Sequence, residues 1–111
     1  MSIQYEDFTK VEILAGRIVK VEEFPRARTP SYKVLVDFGM DIGERWSSMQ
    51  AAAVYRPEEL LDTLVVGVVN LPEKNIAGFK SQALILGVPA EDGNLSLLRP
   101  DRGARLGGHV Y

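Results

Sequence analysis

The chain has 111 residues, 46% hydrophobic and 25% charged, with a net charge of −2 and no cysteine. This is the composition of one globular domain, residues 1–111, built around a single core. It excludes a disulfide framework, a thiolate metal site and a thiol nucleophile, and it excludes nucleic-acid binding driven by global positive charge. Glu6, Asp7, Lys10 and Glu12 interrupt every early apolar run, so no signal peptide is expected. The longest central apolar run, Leu64 to Val69, is far shorter than the roughly 20 residues a membrane span needs. A soluble, cytoplasmic chain with no membrane insertion is expected.

In chain order, Ser2 is placed to cap a short helix carrying Ile3, Tyr5 and Phe8. Val11 to Val21 is a first strand whose apolar residues occupy both parities, and Gly16 inside it is expected to mark a bulge or bend. Phe24-Pro25 ends that strand, because proline has no N–H for the ladder. Arg26 to Ser31 is a loop. Tyr32 to Phe38 alternates Tyr32, Val34, Val36 and Phe38 with Lys33, Leu35 and Asp37, the period of a half-buried strand. A turn at Gly39 to Gly43 leads to a third strand, Arg45 to Ala53. Arg56 to Leu61 is a short helix with Pro57 at its first position and Glu58 and Glu59 at the positive end of its dipole.

Leu64 to Leu71 follows as a strand buried on both faces. Pro72 to Lys80 reads as a loop, Gln82 to Leu86 as a strand, Asp92-Gly93-Asn94 as a turn and Leu95 to Leu98 as a last strand, before a glycine-rich tail. Five strands, a short helix between the third and fourth and glycine-marked corners give an all-β, five-stranded Greek-key barrel of the OB type, with an SH3-like barrel as the second choice.

Charge is segregated. Arg26, Arg28 and Lys33 cluster without an acid between Phe24 and Val34, and Arg99, Arg102 and Arg105 cluster near the end. Asp37, Asp41, Glu44, Glu58, Glu59 and Asp62 outweigh Arg45 and Arg56 between them. Catalytic patterns are missing: His109 is a lone histidine near the C-terminus, and no phosphate loop or metal-ligand spacing occurs. No enzyme activity, cofactor or metal is expected.

Asn70 to Gln82 concentrates Lys74 and Lys80 for charge, Asn70, Ser81 and Gln82 for hydrogen bonding, and Phe79 as an apolar face. Its Asn70-Leu71-Pro72, Ile76-Ala77-Gly78 and Ser81 resemble the signature segment of the tRNA-binding OB-fold family, which includes methionyl-tRNA synthetase C-terminal domains and endothelial monocyte-activating polypeptide-like domains. Val11 to Ile18, Val21 to Arg28 and Pro30 to Lys33 are similar to the same family. Phe24-Pro25-Arg26-Ala27-Arg28 with Ile76 to Ser81 looks most like its CsaA-type subgroup of export-related chaperones.

The resemblance implies a homodimer, joined through short N- and C-terminal extensions, that binds unfolded or pre-secretory polypeptides in a groove and tRNA weakly and salt-sensitively. The alternative is a free-standing, structure-specific tRNA-binding protein without a chaperone role. The candidate binding residues are Arg26, Arg28, Lys33, Trp46, Ser47, Ser48, Asn70, Lys74, Phe79, Lys80, Ser81 and Gln82. Tyr5, Phe8, Val110 and Tyr111 are candidates for the dimer interface, since the short terminal segments carrying them have too little chain to bury them alone.

Overall fold

In the computed structural model, which describes residues 1–111, the chain runs α1 (Tyr5–Thr9), β1 (Ile13–Glu23), β2 (Tyr32–Asp37), β3 (Glu44–Met49), α2 (Pro57–Leu60), β4 (Leu64–Val68), β5 (Lys74–Ile76), β6 (Phe79–Ser81), β7 (Leu84–Ile85), β8 (Gly87–Pro89) and β9 (Leu95–Leu97). Strands β3, β2, β1, β4 and β7 form one antiparallel sheet in that order, while β5–β6 and β8–β9 are separate hairpins. This is the OB barrel expected from the strand count, with α2 between the third and fourth strands.

Strand β1 carries the architecture. Ile13 to Arg17 pair with Val68 to Leu64 of β4, and Arg17 to Glu23 pair with Asp37 to Tyr32 of β2. One long strand thus serves two neighbours with its two halves. Its ladder to β2 shifts between Ile18 and Lys20: Ile18 opposes Val36, and Lys20 opposes Leu35. The bulge therefore lies at Val19, not at Gly16. It explains why the inward side passes from Ile18 to Val21, of opposite parity, because an extra residue reverses inside and outside from that point on. Ile18 is fully buried, whereas Lys20, two residues later, is exposed.

Gly16 answers to packing instead. A Cβ there would lie 2.6 Å from Val36 Cγ1 and 2.8 Å from Phe38 Cδ1. Gly67 of β4 has a similar role, since its Cβ would come 3.1 Å from Phe38 Cζ. The Phe38 ring, 1% exposed, lies against backbone at both points.

The core gathers Leu14, Ile18, Val34, Val36, Phe38, Met49 and Val65, with Leu60 of α2 fully buried among them. Burying one such leucine is worth about 1.5–3 kcal/mol. Helix α2 begins as the sequence predicts, with Pro57 in its first turn and Glu59 reaching back to accept the Arg56 N–H at 2.8 Å. That backbone hydrogen bond holds the Glu59 carboxyl below the usual range.

Other boundaries move. Helix α1 is capped at Gln4, not Ser2: the Gln4 N–H donates to Asp7 Oδ2 at 3.0 Å. Strand β3 stops at Met49 and does not reach Ala53, because its partner β2 begins at Tyr32, opposite Met49, and offers no further ladder. Ala51 instead turns into the core, and its carbonyl accepts the Tyr55 N–H at 2.9 Å. The fourth strand ends at Val68 and leaves Leu71 exposed. Residues 72–80, expected as a plain loop, contain most of the β5–β6 hairpin. Ala77 at φ 50° and Gly78 at φ 87° form its two-residue turn, the geometry that matches the twist of paired strands. Only Leu84–Ile85 of the expected strand 82–86 joins the main sheet.

The C-terminal tail pairs with the part of β1 that β2 does not reach. Ala15 N–H donates to Gly108 O at 2.9 Å, Gly107 N–H to Ala15 O at 2.8 Å and Val110 N–H to Ile13 O at 2.8 Å. Tyr5 and Phe8, whose ring centroids are 6.2 Å apart, precede β1, while Val110 and Tyr111 end the tail beside it. Tyr5, Val110 and Tyr111 remain exposed. No helix is long and apolar enough to cross a membrane.

Candidate functional site

The outward faces of β1, β2 and β3 form one surface. Register places Lys20 opposite Leu35, Leu35 opposite Trp46, Glu22 opposite Lys33, and Lys33 opposite Ser48. The β5–β6 hairpin adds Phe79 over this surface. Phe79 meets Phe24 edge-on at 5.4 Å between ring centroids and Trp46 edge-on at 6.0 Å. The Lys33 ammonium sits 5.0 Å from the Phe24 ring and 5.1 Å from the Phe79 ring, and Lys20 lies 5.9 Å from the Trp46 ring. Such cation–π contacts contribute about 0.5–2 kcal/mol each, depending on desolvation.

The chain's ion pairs are Lys10–Asp7 and Arg56 with Glu58 and Glu59. Lys20 and Lys33 therefore sit over aromatic faces without a carboxylate partner. Arg26 and Arg28 lie exposed in the loop after Phe24, and Lys74 and Lys80 are exposed on the hairpin. The result is a half-apolar surface ringed by unpaired cations, on a protein whose total charge is −2.

The sequence candidates divide accordingly. Lys33, Trp46, Ser48 and Phe79 come together on this face. Ser47 does not: it is fully buried and its hydroxyl donates to Ala83 O at 2.8 Å, so no ligand reaches it. Ser81 and Gln82 join the hairpin to β3. The Ser48 N–H donates to Ser81 Oγ at 3.2 Å, the Trp46 N–H to Gln82 Oε1 at 2.9 Å, and the Gln82 N–H to Trp46 O at 2.7 Å. Gln82 thus imitates a neighbouring strand and fixes the backbone that carries the indole. Asn70 accepts the Glu12 N–H at 2.9 Å and donates to Lys10 O at 2.7 Å. It ties the end of β4 to the segment between α1 and β1.

Four members of the face, Lys20, Glu22, Phe24 and Leu35, were missed in the sequence. Lys20 had a signal: Ile18 and Val21, three apart, belong to one buried side only if an extra residue intervenes. Phe24 carried none beyond its place before proline.

Beside this face lies a groove of about 630 Å³ between the two hairpins. Leu71, Ile76, Leu84, Val88 and Leu95 line it, with Ser48, Gln50 and Lys74 among the polar residues. Leu71, Leu84 and Val88 are about half exposed there. His109 lines a separate hollow under the C-terminal tail, and no group of three His, Asp or Glu side chains comes together to hold a metal ion.

Comparison with known proteins bears on what these surfaces do. The family model described as "Putative tRNA binding domain" matches residues 13–109. A methionine–tRNA ligase of Pyrococcus horikoshii is 37% identical over 109 residues, which is 97% of this chain and 14% of that protein. The chain thus spans about a seventh of the length of the curated relatives it matches. Among solved structures, a CsaA chaperone protein from Picrophilus torridus superposes with a TM-score of 0.92 at 40% identity, covering 99% of this chain and all of that one. A chaperone CsaA from Bacillus anthracis gives 0.92 at 37% identity, with both chains fully covered.

Proposed function

The chain belongs to the tRNA-binding domain family, and from that premise we propose that it is a homodimeric binding protein of the CsaA type, taking tRNA on the β1–β2–β3 face and extended polypeptide in the adjoining groove. The observation that carries the tRNA reading is the face itself: Lys20 and Lys33 held over Trp46, Phe24 and Phe79 with no acidic partner. Folded RNA is recognised through phosphate contacts, shape and exposed bases, and this surface offers cations and ring faces together. Its charges are few, so binding is weak.

The polypeptide reading rests on the groove. Half-exposed Leu71, Leu84 and Val88 form an apolar surface of the kind that holds extended chains. The likeness to the two CsaA chaperone structures supports it. The physiological setting that follows is retention of precursors for export in the cytoplasm. Tyr5 and Phe8 before β1 and Val110 and Tyr111 at the end of the tail provide the surface for a second copy.

Two titrations test this. With about four phosphate contacts, raising salt fourfold lowers tRNA affinity on the order of 100-fold, and Lys80→Ala and Phe79→Ala each weaken it further. An unfolded precursor is held with little salt dependence. A tRNA affinity indifferent to salt and to both substitutions overturns the site, and failure to bind unfolded precursor leaves the tRNA-only alternative. Separately, a chain lacking residues 1–8 is expected to sediment as a folded monomer, and a persistent dimer removes α1 from the interface.

A further inference from the structure

We infer that the groove between the two hairpins holds a polypeptide by strand addition to the open edge of β8, and that it selects an aliphatic segment carrying an acidic side chain, which Lys74 receives. This rests on the polypeptide reading above and narrows it, since it fixes both the backbone pairing of the bound segment and its charge.

The edge is open. Strand β8 pairs with β9 on one side and with no strand on the other, and all three of its residues are exposed. Antiparallel ladders alternate bonded and unbonded pairs. The Leu98 N–H donates to Leu86 O at 3.1 Å and the Ala90 N–H to Asn94 O at 2.7 Å, so the bonded pair between them is Val88 with Ser96. Gly87 therefore directs its N–H and C=O, and Pro89 its C=O, away from β9. Gly87 lines the groove, and having no side chain it does so with backbone. A Cβ there would collide with the Leu95 side chain and lie 2.9 Å from Ser96 O. Pro89 has no N–H, so the ladder stops at it. An antiparallel segment would exchange two backbone bonds with Gly87 and donate one to Pro89, the pattern by which extended peptides join a sheet edge.

The lining sets which side chains fit. Leu71, Ile76, Leu84 and Leu95 give apolar walls, and residues of both hairpins face the same space. Lys74 is the one charged residue of the lining, and it is exposed and has no carboxylate partner. Glu73 next to it accepts the Gln82 side-chain amide at 3.2 Å, and Asp92 at the tip of the other hairpin accepts the Asn94 N–H at 3.0 Å; neither lines the groove. An aliphatic groove whose single charge is positive complements a carboxylate and disfavours a basic side chain.

The probe is a capped, dye-labelled hexapeptide of alternating valine and threonine with one threonine replaced by glutamate, titrated beside its lysine counterpart. The glutamate peptide is expected to bind about fivefold more tightly. Lys74→Gln should erase that preference and Lys74→Glu reverse it, both with unchanged melting temperature. N-methylation of single peptide amides should weaken binding at alternate positions and leave it intact at those between, as a strand bonded along one edge requires. Equal affinity for the two peptides, a preference that survives Lys74→Gln, or methylation effects that do not alternate overturns the inference. So does conversion of a dimer to monomers by the glutamate peptide, which would make the groove the seat of a second copy. If an unfolded precursor binds and these peptides do not, strand addition fails and the polypeptide reading stands. If neither binds, both fail.

Discussion

Gly16→Val is expected to yield a chain that does not fold cooperatively, and Gly16→Ala one that folds with a clearly lowered urea midpoint. The reason is the position of Phe38. A single methyl at residue 16 would enter to 2.6 Å from Val36 Cγ1 and 2.8–2.9 Å from two atoms of the Phe38 ring. The ring has no room to withdraw, since its far edge lies near Gly67, where a Cβ would be 3.1 Å away. Overpacking a core by one methyl costs about 1–3 kcal/mol, and valine adds two more carbons at the same point. A domain of this size has only about 5–15 kcal/mol of stability to lose. Phe38→Leu, made in the Gly16→Ala background, should recover part of the loss because it removes the ring edge that crowds residue 16 and leaves only the Val36 contact. Such non-additivity is the mark of residues in direct contact. An unchanged urea midpoint for Gly16→Ala would falsify the packing described.

Lys33→Glu is expected to abolish measurable tRNA binding, a loss of about 100-fold or more. The substitution replaces one phosphate contact by a repulsive charge, and it frees residue 33 from the two rings that hold the ammonium in place. It also points a carboxylate at the negative faces of Phe24 and Phe79, opposite Glu22. A loss of 2.7 kcal/mol corresponds to about 100-fold at room temperature. The measurement is a filter-binding or anisotropy titration with mixed tRNA, beside a circular dichroism spectrum showing that the barrel persists. The precursor titration separates the two proposed surfaces, because the groove residues Leu71, Leu84 and Val88 do not include Lys33. If precursor binding falls as far as tRNA binding, the two ligands share one face.

Local features of the fold were legible where the chain repeats a pattern against a single partner. Tyr32 to Asp37 alternates in burial as it alternates in sequence, and Pro57 with its two glutamates starts a helix where the dipole favours them. Legibility failed where the deciding partner is distant. Ser47 and Ser48 are identical in type and adjacent, yet one is sealed in the core and the other lies on the outer face. Only the register with β2 separates them. Asn70 and Gln82 read as ligand-binding amides, but their hydrogen-bond partners lie 58 or 60 and 36 residues earlier in the chain. The β5–β6 hairpin escaped for a different reason: two strands of three residues around an Ala-Gly turn are too short and too polar to show a period. The family resemblance singled out the segment from Asn70 to Gln82 but carried no sign that it folds as a hairpin.

The join between β3 and the Ser81–Gln82 segment has a dynamic consequence. At Trp46 and Ser48 the backbone N–H groups are held by side-chain oxygens of Gln82 and Ser81, not by a continuous ladder. A side-chain torsion can release either one without unzipping a strand. Solvent exchange at these two amides should therefore proceed through small local openings, well ahead of fully buried positions such as Ile18. Each opening would also loosen the hairpin that brings Phe79 against Trp46. The aromatic wall then rests on two side-chain hydrogen bonds and the one backbone bond from Gln82 to Trp46, and any ligand that bridges the hairpin and β3 registers as slowed exchange at the Trp46 and Ser48 amides.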